Sequence, residues 1–246
     1  MKAQVLLPKV FNFPFTYNSK TEGKIGNLVE VPFGSKKEIG VIWKNNYLEP
    51  KNIRIKEISK KTQYSINKKL INFIEWFSIY NMVPLGLVLK MAIGNNDKFI
   101  RFKDDTIVER KTNKKKFDLN DEQLKALKFL EKKNNKFDVS VLQGTTGSGK
   151  TLVYFERIKK IIEKNNQALV LLPEIFLTND FKSRFEEFFG FEPAIWHSKI
   201  TPKKKRLIWK GIIKNKIKIL VGARSALLLP FKKLGIIVVD EEHDAS

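Results

Sequence analysis

Val139-Ser140-Val141-Leu142-Gln143-Gly144-Thr145-Thr146-Gly147-Ser148-Gly149-Lys150-Thr151 runs from an apolar stretch, through a glycine-rich turn, into a helix-forming segment. It satisfies G-x-x-x-x-G-K-[ST] in full, with Gly144, Gly149, Lys150 and Thr151 at the fixed positions. The glycines let the backbone curl so that consecutive N–H groups face a phosphate, and the helix starting there adds the positive end of its dipole. Gly144, Thr145, Thr146, Gly147, Ser148, Gly149, Lys150 and Thr151 therefore form a candidate nucleotide cradle. Lys150 would reach the β- and γ-phosphates as a point charge, and the Thr151 hydroxyl would ligate Mg²⁺. The plain alternative is a Gly/Ser-rich surface turn; a strand before it and a helix after it count against that.

Residues 118–246 alternate between two periods. Leu124, Leu127 and Leu130 fall at helical spacing, Val139 to Leu142 reads as a first strand, and Thr151 to Glu163 as the helix behind the loop. Ala168 to Leu172, Ala194 to Trp196, Ile217 to Val221 and Ile236 to Val239 are continuous apolar runs, the pattern of parallel strands buried on both faces. Helical segments near 177–189 and 203–213 separate them. The expected fold is a doubly wound α/β lobe with the phosphate loop after its first strand. The last strand ends in Asp240-Glu241-Glu242-His243. Because C-terminal strand ends face the ligand crevice, Asp240 can meet the Mg²⁺ held by Thr151. Glu241 can orient or deprotonate an attacking water, and His243 suits a relay. A solvated acidic turn would explain this run if it stood alone.

The front of the chain, residues 1–97, reads as short strands between turns, then helices. Leu28 to Pro32 and Glu38 to Trp43 flank Phe33-Gly34-Ser35-Lys36-Lys37, a hairpin signal, and Ile53, Ile55 and Ile58 suggest a further strand. This is a small β-barrel pattern. Phe11, Phe13, Phe15, Tyr17 and Phe33 lie close to Lys9, Lys36 and Lys37, so the rings can stack bases while the lysines hold phosphates. Core packing explains the same rings equally well from spacing. Ile66, Leu70, Ile71, Phe73, Ile74 and Phe77 then recur at helical spacing, and a second apolar helix follows Pro84 through Met91. Residues 98–117, with Lys111-Thr112-Asn113-Lys114-Lys115-Lys116, are the expected basic linker.

Composition narrows the partners. Across 246 residues, 47 Lys+Arg against 26 Asp+Glu give a net charge of +21, a field that attracts polyanions and above all nucleic acid. The abundance of Lys, Asn and Ile along the whole chain offers a compositional explanation for part of that excess. There is no cysteine, which excludes disulfides and thiolate metal sites and fits a reducing, cytoplasmic setting. With His197 and His243 the only histidines, an all-protein zinc site has too few ligands. The N-terminal apolar run is too short for a signal peptide, and no run approaches the roughly 18 apolar residues of a membrane span.

Asp240-Glu241-Glu242-His243 is a DExH box, and with the phosphate loop the second half resembles the first motor lobe of superfamily 2 helicases. Leu119-Asn120-Asp121-Glu122-Gln123, Leu169 to Thr178, Trp196-His197-Ser198 and Gly222 to Phe231 narrow the resemblance to the primosomal protein N′ (PriA) family of replication-restart helicases. Val31-Pro32-Phe33-Gly34 and Ile39-Gly40-Val41 look like that family's N-terminal 3′-DNA-binding domain. The resemblance implies that Gln123 reads adenine. It also implies that the Pro173-Glu174 and Gly222 to Ser225 stretches touch single-stranded DNA, with Arg224 and Ser225 as phosphate contacts. Phe15, Tyr17, Phe33, Gly34 and Lys36 would then hold DNA in the front domain. Thr16, Phe176 and Ala223 depart from the family pattern, and the linker of about twenty residues implies that the family's winged helix is absent or degenerate.

The resulting expectation is an ATP- and Mg-dependent 3′-to-5′ DNA helicase of replication restart. Lys150 and Asp240 would serve the phosphate and metal, with Glu241 as base. Forked DNA, single strands and 3′ ends are the expected ligands. Other primosome proteins and single-stranded-DNA-binding protein are the expected partners, and no membrane is. The chain resembles the N-terminal portion of the family, without the second lobe, its arginine finger or its zinc module, so slow hydrolysis is expected of this piece alone. Two other classes use the same residues: a non-motor, nucleotide-switched DNA-binding module, and a P-loop kinase of small molecules. Stimulation of ATP hydrolysis by DNA separates these readings.

Overall fold

A computed structural model describes residues 1–44, 55–94, 115–132, 137–145, 147–173 and 178–240. The chain divides into two compact units. One is Met1–Thr106 with Ile212–Lys214 and Leu228–Lys232; the other is Ile107–Gly211 with Asn215–Leu227 and Lys233–Ser246.

The first unit is built on a five-stranded antiparallel sheet: β1 (Lys2–Leu6), β2 (Phe15–Asn18), β3 (Asn27–Phe33), β4 (Lys36–Ile42) and β5 (Lys60–Ser65), in the order β2-β1-β4-β3-β5. The anticipated hairpin forms between β3 and β4, with Phe33 opposite Lys36 across the Gly34-Ser35 turn. An isolated bridge between Asn18 and Glu57 brings the segment before β5 against the end of β2, which curls the sheet toward the expected barrel. The strand anticipated at Ile55 and Ile58 forms later in the chain, at Lys60–Ser65; Ile53 lies outside the described residues. Val5, Leu7, Tyr17, Val29, Val31 and Ile42 make the inner core. Two helices follow, α1 (Lys68–Tyr80) and α2 (Leu85–Ile93). Asn67 caps α1 by accepting from the Leu70 N–H at 2.9 Å. Glu75 ties α1 to the sheet through the Trp43 indole N–H (3.1 Å) and Lys44 (2.6 Å).

The second unit carries a parallel sheet, β6 (Gln167–Leu171), β7 (Ala194–Trp196), β8 (Ile219–Gly222) and β9 (Leu234–Val239), in the order β7-β8-β6-β9. Its helices are α3 (Asp121–Glu131), α4 (Lys150–Glu163), α5 (Asn179–Phe189) and α6 (Pro202–Ile213). Ala168, Val170, Leu172, Ile219 and Val221 pack with Tyr154, Phe155 and Ile158 of α4 and with Phe185, Phe188 and Phe189 of α5. Leu169 and Leu220, whose side chains alternate to the other face, are also fully buried. Burial on both faces explains the unbroken apolar runs of β6 and β8, whereas β9, at the end of the strand order, departs from that expectation, with Ile237 and Val239 45% and 57% exposed. One expected strand does not form among the described residues: Val139 to Leu142 joins none of their ladders, and Val139 and Val141 are 72% and 85% exposed. Its apolar composition alone makes no strand, because a strand exists only through a hydrogen-bonded neighbour.

The expected linker lies mostly outside the described residues. Its end is anchored: Lys115 donates its N–H to Glu187 O at 2.7 Å and pairs with the Glu187 carboxylate, and Phe117 stacks on Phe188.

Candidate functional site

The phosphate loop is shaped from both sides. Gly147 and Gly149 take φ of 82° and 81°, the left-handed region open to glycine. Gly149 is also the N-cap of α4, so the N–H groups of the first helical turn open toward the loop. Lys150 folds back onto the loop, its ammonium donating to Gly144 O at 2.7 Å and Thr145 O at 3.1 Å. An arriving phosphate would find that cation already at the mouth of the curl. Thr146 lies outside the described residues, while Ser148 and Thr151 stand at the loop's end and on the first turn of α4.

Gln123 meets the loop from α3. A capping box fixes it: Asn120 Oδ1 accepts from the Gln123 N–H (2.9 Å), and Gln123 Oε1 accepts from the Asn120 N–H (3.0 Å). Its amide Nε2 then donates to Ser148 O at 3.1 Å. A primary amide has two donors and two acceptor lone pairs, so one of each remains for the donor–acceptor edge of an adenine.

The acidic strand end reaches the same helix. Asp240 follows β9 directly; its N–H donates to Leu171 O at 3.0 Å, and its Oδ2 accepts from the Tyr154 hydroxyl at 2.8 Å. Tyr154 lies three residues beyond Thr151, one helical turn along α4, so the hydroxyl that would ligate metal and the carboxylate that would join it flank one helix end. Glu241 and His243 fall outside the described residues. The cradle suits a nucleotide phosphate: Gly147 and Gly149 are left-handed, a lysine and a helix N-terminus supply positive charge, and hydroxyl and carboxylate oxygens suit a hard cation. Among the described residues there is no cluster of three or more His, Cys, Asp or Glu for a separate metal such as zinc.

In the first unit, four phenylalanines form one connected cluster. Phe15 lies 4.9 Å from Phe11 and 5.3 Å from Phe33 between ring centroids, and Phe13 lies 5.2 Å from Phe15. The loop that carries Phe11 and Phe13 is pinned by α2, where Gly86 N–H donates to Phe11 O (2.8 Å) and Leu85 N–H to Asn12 Oδ1 (3.0 Å). Lys9 stands 5.5 Å from the Phe33 ring centroid and pairs with Glu38. Gly34 and Lys36 are exposed at the turn, and Lys56, which spacing did not single out, donates to Gly34 O at 3.5 Å. Tyr17 departs from the expectation of a DNA-facing ring. It is 4% exposed, packs in the inner core, and its hydroxyl donates to Pro32 O at 3.2 Å. Burial pushes its phenol up to about 12. Tyr17 thus supports the turn that carries Phe33 and Gly34 from beneath.

Arg224 and Ser225 are exposed, on a short 3₁₀ turn (Arg224–Leu228) that follows β8. Ser225 Oγ accepts from the Trp196 indole N–H at 3.2 Å. Tyr154, Lys56 and Trp196 are the additions that sequence reasoning missed as site residues. For Tyr154 the i+3 spacing from Thr151 was the available signal.

Comparison with known proteins follows the same division. Residues 4–94 match the model of the 3′DNA-binding domain (3′BD), and residues 120–246 match that of the DEAD/DEAH box helicase. Replication restart protein PriA of Rickettsia conorii is 39% identical over 249 residues, covering 99% of this chain and 38% of that protein. The protein of the same name from Helicobacter pylori strain J99 is 35% identical, over 95% of this chain and 36% of its own length. The one from Bacillus subtilis is 44% identical over 108 residues, 44% of this chain. The chain thus spans about 38% of the length of the relatives it matches throughout. No helix among the described residues is long and apolar enough to cross a membrane.

Proposed function

The chain belongs to the DEAD/DEAH box helicases, with the 3′DNA-binding domain of PriA-type replication restart proteins in front, and on that premise we propose an ATP-dependent DNA helicase of replication restart, moving 3′ to 5′. Residues 1–97 act as the DNA-binding domain, 98–117 as the basic linker and 118–246 as the first motor lobe. Lys150 and the loop from Gly144 to Thr151 hold the phosphates, Gln123 reads the adenine, and Thr151 with Asp240 holds Mg²⁺. When bound, the ion would neutralise phosphate charge. Glu241 serves as the base for the attacking water. Phe15, Phe33, Gly34 and Lys36 contact a 3′ DNA end, and Arg224 and Ser225 contact a single strand. Abandoned forks are the substrate. Other primosome proteins and single-stranded-DNA-binding protein are the partners through which the replicative helicase is reloaded, in the cytoplasm.

The observation that supports this reading most strongly is the Tyr154–Asp240 hydrogen bond, because it joins the helix that begins at Lys150 to the strand end that carries the acid. The test is phosphate release from ATP with and without single-stranded DNA. The expected result is a low rate that rises when DNA is added and disappears in Lys150→Ala. Transfer of phosphate to a small acceptor, indifferent to DNA, would overturn the reading. Tight ATP binding with no turnover on any DNA would favour the nucleotide-switched module instead.

A further inference from the structure

Between Pro193 and Val239 the sequence holds twelve Lys and Arg and no Asp or Glu, so more than half of the +21 net charge falls in under a fifth of the chain. No acid within this stretch offsets its positive charge. The densest part is Lys203-Lys204-Lys205-Arg206 in the first turn of α6, where the helix dipole already disfavours cations. Thr201 caps that turn, accepting from the Lys204 N–H at 3.3 Å. A polyanion would offset the repulsion this run builds up.

The fold places the run beside Arg224 and Ser225. β7 and β8 are parallel and in register, with Trp196 opposite Gly222, so the residues that follow each strand leave the same edge of the sheet. Ala223 N–H donates to Trp196 O at 3.0 Å, continuing the pairing past the strands. The Trp196 indole then bridges two elements. Its N–H donates to Ser225 Oγ (3.2 Å), and Lys205 stands over its ring, 6.0 Å from the centroid, while also donating to Ser198 O at 3.2 Å. One indole therefore sets the spacing between a hydroxyl and an ammonium that can share a phosphate. Asp240 leaves the same edge two strands from β8 and three from β7, about 10 to 14 Å at normal strand spacing, so this patch lies beside the nucleotide crevice without belonging to it.

We propose that Lys203, Lys204 and Lys205 extend the single-strand contact of Arg224 and Ser225 along the N-terminal turn of α6, with Trp196 as the residue that positions Lys205 against Ser225. The inference rests on the reading of Arg224 and Ser225 as DNA contacts. The ligand is the sugar-phosphate backbone of unpaired DNA, bound without regard to sequence, since phosphates carry no base information.

The test is the salt dependence of binding of a fluorescent oligo-dT to the full chain, read by anisotropy. Each single-strand phosphate contact adds about 0.7 to the slope of log Kobs against log salt. Lys203→Ala/Lys204→Ala should lower that slope by about 1.4, and Lys125→Ala/Lys128→Ala, which removes equal charge from α3, should leave it unchanged. Trp196→Leu should lower the slope by about 0.7, as Lys205 loses its seat, whereas Trp196→Phe should keep most of it. Equal loss from the α3 and α6 pairs would show a general field and overturn the proposal, as would a wild-type slope in the α6 pair. Arg224→Ala separates this outcome from the parent reading. If Arg224→Ala weakens binding while the α6 pair does not, only the extension fails. If Arg224→Ala has no effect while the α6 pair weakens binding, the α6 contact stands and the role of Arg224 fails.

Discussion

Tyr154 donates its hydroxyl to Asp240 Oδ2 at 2.8 Å across 86 residues of sequence, and this contact fixes the acidic strand end against the helix of the phosphate loop. Hydrogen bonds to a charged group contribute about 1.5–3 kcal/mol. Tyr154→Phe keeps the buried ring, so the fold should survive with a small loss of melting temperature. Asp240 then loses its orientation, and affinity for Mg–ATP should fall about tenfold or more, at a cost of roughly 1.4 kcal/mol per tenfold. Titration of a fluorescent ATP analogue at several Mg²⁺ concentrations reads the effect; unchanged Mg²⁺ dependence would count against it.

Gly149 and Gly147 share a left-handed backbone but not a neighbourhood. A Cβ on Gly149 would stand 2.3 Å from Gln123 Nε2, whereas a Cβ on Gly147 meets nothing within 4 Å. Both alanine substitutions carry left-handed strain of about 1–3 kcal/mol. Only Gly149→Ala also dislodges Gln123, so it alone should erase discrimination between ATP and GTP. Competition binding with the two nucleotides measures this directly.

The rings of the first unit divide by exposure. Phe13 is 47% exposed, so Phe13→Ala should cost little stability yet weaken binding of a 3′-ended oligonucleotide by about 5- to 150-fold, the range for losing a base stack. Phe15 is half-buried at the cluster's centre, and Phe15→Ala should lower both stability and binding. A paired melt and anisotropy titration of each variant separates packing from recognition.

Tyr17 gives the fold an alkaline limit. Its phenol is raised from 10.0 to about 12 by burial. The unfolded chain therefore releases the proton first, and the stability gained from keeping Tyr17 protonated is complete below pH 10 and is lost as pH climbs through 12. The loss is roughly 2–3 kcal/mol at about 1.4 kcal/mol per unit. Urea unfolding of the first unit between pH 9 and 12 should show this decline, and Tyr17→Phe should flatten it.

Much of this architecture is legible from residues. The runs at 168–172 and 219–222 announce strands because a parallel sheet covered on both faces tolerates no polar alternation, and the run at 234–239 does so although one of its faces is exposed. Lys60–Ser65 gave no such signal: it is an outer strand of the sheet, only Tyr64 of its six residues is buried, and its pairing with β3 is what makes it a strand. Val139 to Leu142 erred the other way, apolar enough for a strand but without a ladder. Tyr17 reads as a surface ring by its nearness to lysines, yet it shares a strand face with Phe15 and lies deeper in the core. At the site, the loop and its acid were visible because motif spacing encodes local geometry. The Tyr154–Asp240 bond was not, because a contact between a helix and a distant strand end depends on the sheet order.

The loop from Gly144 to Thr151 and Asp240 are proposed to form one Mg-dependent nucleotide site. The most direct measurement is equilibrium binding of a fluorescent ATP analogue to the wild type, Lys150→Ala and Asp240→Asn, each with Mg²⁺ and with EDTA. The expected outcome is Mg²⁺-dependent binding in the wild type, loss of binding in Lys150→Ala, and in Asp240→Asn residual binding that Mg²⁺ no longer strengthens. Wild-type Mg²⁺ dependence in Asp240→Asn, or undiminished affinity in Lys150→Ala, would contradict it.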